Sequence, residues 1–101
     1  MSHPRKATKV DSALVAKGMT RDAKSHHIMY RMDVEGTTTL VTRISHSASE
    51  ISDGLAQLMA NQCALRLQEF WRLVDCTLSQ GEWIALVRGR CADGRNPFLG
   101  R

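Results

Sequence analysis

Residues 26–44 read HHIMYRMDVEGTTTLVTRI, and this stretch decides the fold. Ile28, Tyr30 and Met32 alternate with polar positions, which places them on one face of a strand. Residues 33–36 supply turn chemistry, and Gly36 can adopt a positive φ without steric cost. Residues 37–44 are rich in β-branched side chains, with Leu40, Thr42 and Ile44 sharing a face. The segment therefore predicts a β-hairpin with one apolar face.

Upstream, Val10, Ala13, Leu14 and Lys17 recur at helical spacing and Gly18 follows as a stop, so a helix is expected over residues 9–17. Residues 19–25 are polar and read as a loop or a short edge strand. Residues 1–9 are basic, contain Pro4 and lack periodicity, so a disordered tail is expected there. Downstream, Ser47 and Glu50 have capping-box spacing. Behind them Ile51, Leu55, Leu58, Met59 and Gln62 predict a helix over residues 51–61. Leu67, Phe70, Trp71 and Val74 mark a third helix. Ser79 and Glu82 form a second capping box before Trp83, Leu86 and Val87. The expected architecture is α+β: a helix, a two- or three-stranded antiparallel sheet, then two or three helices. One domain is expected over residues 10–87, with a helical extension from about 63 and a fraying basic tail over 88–101. Phe70, Trp71 and Trp83 are expected to pack the extension onto the sheet.

At 101 residues and 43% hydrophobic content, the chain fits one thin-cored globular domain. No apolar run approaches the ~20 residues of a membrane span, and no apolar stretch follows the basic start, so neither a membrane nor a secretory signal is expected. Cys63, Cys76 and Cys91 are odd in number and widely spaced, which fits neither a disulfide framework nor a zinc pattern. A reduced, cytoplasmic setting follows, with Cys63 and Cys76 packing as small hydrophobes and Cys91 in a polar tail. The net charge is +4. Arg5, Lys6 and Lys9 lie before the expected domain and Arg88, Arg90, Arg95 and Arg101 after it, so the middle is mildly acidic. Charge thus favours an anionic partner only at the tails and the front half.

The histidines carry the chemistry. His26 and His27 open the hairpin and His46 follows its second strand, so antiparallel pairing brings all three to one end. Histidine exchanges a proton near neutral pH, which suits a general base beside an RNA 2′-hydroxyl. Strand alternation lets only one of His26 and His27 share a face with His46.

The order of helix, glycine, Lys24-Ser25-His26-His27, strand, glycine-containing turn, strand, then Ile44-Ser45-His46 before a helix resembles the HicA-type toxins of bacterial toxin–antitoxin pairs. The resemblance covers about residues 10–62. It implies a double-stranded-RNA-binding-like fold and mRNA cleavage by a histidine, a role that carries over to Ser25 and His26 only, with His26 as catalytic base. His27 and His46, at the same end of the hairpin, are candidates in support, and a histidine base needs no metal. It also implies RNA as partner, with an antitoxin protein as a second. Lys24, Arg31 and Arg43 are the candidate phosphate contacts. Neither a cofactor nor a metal is expected, and DNA is not an expected partner. Two departures stand out: Lys24 replaces the motif's glycine, and Ser45 replaces an expected arginine. Residues 63–101 have no counterpart in the minimal toxin. The alternative is a module that binds RNA or a protein and has lost nuclease activity.

Overall fold

The computed structural model of the protein describes residues 4–99. The chain runs β1 (Arg5–Lys6), α1 (Ala7–Ala16), β2 (Thr20–Ala23), β3 (His27–Val34), β4 (Thr38–Ser45), β5 (Glu50–Ile51), α2 (Asp53–Gln62), α3 (Leu67–Val74) and α4 (Gln80–Arg90). It is an α+β domain. An antiparallel sheet of order β2-β3-β4 forms its centre, and β1 and β5 make a separate two-stranded ribbon.

The alternation in β3 and β4 dictates the layering. Tyr30, Met32 and Val34 pair within the register with Thr42, Leu40 and Thr38, and all six are buried on the inner face. Arg31, Asp33, Thr39, Val41 and Arg43 face outward and are exposed. Glu35 and Gly36 both take positive φ in the connecting loop, which Thr37 closes with an N–H bond to the Val34 carbonyl. Polar residues 20–23 form an edge strand beside β3.

α1 packs Val10, Ala13 and Leu14 into the core. It ends where Gly18 takes a φ of +106°, and a Cβ there would lie 2.5 Å from the Gln80 amide nitrogen. α3 buries Phe70, Trp71, Leu73 and Val74, and α4 buries Trp83 and Val87. Ser79 and Glu82 cap α4 reciprocally, as their spacing predicts. The Trp83 indole N–H donates to the Cys63 carbonyl at 2.9 Å, so the largest side chain of the core leaves no buried polar group unpaired. Burial pushes the Cys63 thiol up to about 12.

Four expectations need correction. The basic start is ordered from Arg5 onward: α1 begins at Ala7, and Arg5 pairs with Ile51 in the ribbon. The Arg5 guanidinium also lies 4.6 Å from the Trp71 ring centroid and forms a two-pronged bond to Asp75. Positions 1–3 lie outside the described residues. The Ser47 capping box does not start a helix. Glu50 and Ile51 are extended, and Ser52 is the N-cap of α2, accepting from the Leu55 N–H. Over its described part, residues 88–99, the expected fraying tail is packed instead: α4 continues to Arg90, Cys91 is buried, and the Asn96 amide bonds the carbonyls of Asn61 and Gln62, while positions 100 and 101 lie outside the described residues. Cys76, expected to pack as a small hydrophobe, is exposed.

Candidate nucleic-acid interface

The β2–β3 turn gathers the candidate residues. The Lys24 N–H bonds the His27 carbonyl at 2.7 Å, continuing the β2–β3 register and leaving Ser25 and His26 as the two residues of a tight turn. His26 is therefore a turn residue, not the first residue of a strand. Positive φ occurs at Glu35, Ala64 and Cys76 among the non-glycine described residues, and not at Lys24. The backbone here has no need of glycine at position 24.

The same turn is tied to the end of β4. The His46 N–H bonds the His26 carbonyl at 3.3 Å, one step beyond the His27–Ser45 pair. The His46 ring reaches further, its Nε2 lying 2.5 Å from the Lys24 carbonyl. A carbonyl only accepts, so Nε2 carries the proton and Nδ1 keeps the lone pair when the ring is neutral. His26 and His46 are both exposed, and His27 is half-buried.

The remaining candidates divide between faces. Lys24 is ion-paired with Asp22 at 2.8 Å, on the outer side of the sheet. Arg31 and Arg43 are exposed on that outer face, where Met29 pairs with Arg43 and Arg31 with Val41. Arg43 lies close to the His27–Ser45 pair, whereas Arg31 stands farther along β3. The structure thus brings Lys24, Ser25, His26, His27, His46 and Arg43 to one end of the sheet, while Arg31 stands farther from the histidines but lines an outer-face pocket together with Lys24 and Asp22.

A second group, absent from the sequence reading, lies on the inner face beside this end. A cleft of about 360 Å³ opens between α1 and the sheet, with Asp11, Ser12, Arg21, Tyr30 and His46 among its walls. Arg21 donates to Asp11 Oδ2 at 2.7 Å, and the Tyr30 hydroxyl donates to the same oxygen. Burial raises the Tyr30 phenol well above its ordinary value, and the bond to Asp11 raises it further. Asp11 and Tyr30 lie in different elements, and Arg21 meets Tyr30 only through the β2–β3 register. No local sequence signal marks this group, because residues 20–23 carry no apolar alternation to say which of them faces α1.

Among the described residues, no three His, Cys, Asp or Glu side chains cluster as metal ligands would. No described helix is long and apolar enough to cross a membrane. No family model, curated protein or solved structure matches the chain.

Proposed function

We propose that this is an RNA-binding domain of the HicA-like kind and a metal-independent endoribonuclease, with His26 as its base. One observation carries the reading: Ser25 and His26 form an exposed tight turn whose backbone is bonded to His46. The element order α1-β2-β3-β4-α2 supports it, being the order of a double-stranded-RNA-binding-like domain. The His26 ring takes the proton of a 2′-hydroxyl. That oxygen attacks the adjacent phosphorus and forms a cyclic phosphate, while the 5′-oxygen departs and takes a proton from water. Lys24 and Arg43 flank the turn as phosphate contacts, and Arg31 serves a more distant stretch of the strand. The protein would act in the cytoplasm, against mRNA and under the control of an antitoxin protein.

A second reading is favoured by a specific feature. Lys24 is already paired with Asp22, and Arg31 lies away from the histidines, so the positive charge around His26 is modest. That arrangement suits a module that binds RNA without cutting it. Incubating the purified chain with RNA in EDTA, wild type beside His26→Ala, separates the two. Cleavage by wild type alone supports the nuclease. Salt-sensitive binding with no cleavage by either supports the binding module. Absence of binding at low salt removes both.

A further inference from the structure

We propose that the cleft between α1 and the sheet holds the base of one nucleotide bearing an exocyclic amino group, guanine before the others. The inference rests on the RNA reading for the direction from which the nucleotide arrives, but the cleft makes its own case.

The first observation is size and place. At about 360 Å³ the cleft falls in the lower part of the ~300–1,000 Å³ range of small-ligand sites. His46, whose backbone is bonded to His26, forms part of its wall. A strand crossing the Ser25–His26 turn passes this opening.

The second observation is chemical. Ile28, Ile44, Ala7 and Ala48 give the cleft an apolar wall against which a planar base can lie. Opposite chemistry comes from Asp11. Its Oδ2 accepts from both Arg21 and Tyr30, which fixes the carboxylate, while Oδ1 has no hydrogen-bond partner among the described residues. A carboxylate oxygen accepts and cannot donate, so its complement is a group rich in N–H. Guanine presents a ring N–H and an amino group along one edge, whereas uracil presents a lone N–H between two acceptors. Arg21, nearly half exposed, has further N–H groups for the acceptor atoms of the ligand. Ser12 and Thr8 add hydroxyls at the α1 side.

The test is a titration of the full, isotopically labelled chain with guanosine 3′-monophosphate, inosine 3′-monophosphate and inorganic phosphate, read by amide NMR. Inosine lacks only the amino group. The expected result is saturable movement of the Thr8, Ser12 and Ala48 amides with the guanosine nucleotide. Inosine should bind about tenfold more weakly, the loss expected for one charge-assisted hydrogen bond. Ser12→Phe, placed on the exposed side of α1, should abolish these shifts. Equal affinity for guanosine and inosine both as mononucleotides and within a short RNA, shifts confined to other surfaces, or identical shifts with phosphate alone would each overturn the proposal. A short RNA with one guanosine, against the same RNA with inosine, distinguishes a strand-borne base from a free nucleotide. Discrimination only within the RNA assigns the cleft to the strand, and equal discrimination by the mononucleotides assigns it to the free ligand as well. None of these readouts needs cleavage, so an inactive protein that still prefers guanosine keeps the cleft and loses the nuclease. An active one that shows no preference does the reverse.

Discussion

The helices after Cys63 and the turn at Ser25–His26 are built on opposite principles. Around α3 and α4 almost every large side chain is sealed: Trp83 has no exposed surface, Phe70 and Leu73 likewise, and the tryptophan N–H groups are paired. Around the turn, Ser25, His26 and His46 stand in solvent, held by backbone hydrogen bonds rather than by packing. Apolar burial supplies stability in the first region, at roughly 25 cal/mol per Å². The second region spends little of it, and the Ser25 and His26 side chains are free to meet another molecule, while the His46 ring is held on the Lys24 carbonyl. The division shows where substitution should damage the fold and where it should damage only the work.

The strongest way to break that contrast is to remove the sealed half. A chain ending after Gln62 would expose Leu14, Tyr30 and Ile51 from a core they share with Phe70, Trp71 and Trp83. It should be unfolded by circular dichroism, and a stable fragment of that length would show the extension to be dispensable. Next in size is Trp83→Ala. Loss of a fully buried aromatic with its N–H bond should cost about 3–5 kcal/mol in urea denaturation.

A smaller effect belongs to the ion pair that ties α4 to α3. Arg90 makes two bonds to Glu69, at 2.7 and 2.8 Å, and both side chains are about four-fifths buried. The Arg90 guanidinium holds the Glu69 carboxyl below its usual value. A depressed carboxyl contributes stability that is present above its unfolded pKa, about 4.3, and is lost as the pH falls through its folded value. Glu69→Gln should therefore cost about 1–3 kcal/mol at neutral pH and flatten the acid limb of the stability curve. An unchanged acid limb would assign acid sensitivity elsewhere, with Asp75, depressed by Arg5, the next group to replace.

Local rules reached some elements and not others. The β3–β4 hairpin was legible because period-two alternation and a glycine turn agree over consecutive residues. α4 was legible because its capping box and its apolar positions coincide. The Ser47 pattern failed for a tertiary reason: Ile51 is buried as a ribbon strand against Arg5, and no local signal announces a partner so far away in sequence. The same holds at the other end. Cys91 reads as part of a polar tail, yet Arg88 bonds Glu35 across the fold and Asn96 bonds α2, which draws the segment inward. At the candidate site, strand order gave the meeting of His26 and His46. It did not give the Asp11–Arg21–Tyr30 group, because that requires the register of an edge strand whose residues carry no apolar pattern.

The smallest structural effect should accompany the largest functional one. His26 lies in an exposed turn, and the bond that joins it to His46 uses its backbone carbonyl, which alanine retains. His26→Ala should thus change stability by no more than about 0.5 kcal/mol, the ordinary range for surface positions. On the nuclease reading it should also abolish RNA cleavage, because the proton acceptor is gone while the cleft, the Lys24 carbonyl contact of His46 and the Arg43 side chain stay in place. Paired measurements of melting temperature and cleavage rate check both halves at once. A large drop in melting temperature would show that the turn is held by its side chain after all. Cleavage that survives the substitution would move the base to another histidine at the same end, with His46 and its unbonded Nδ1 the first to replace.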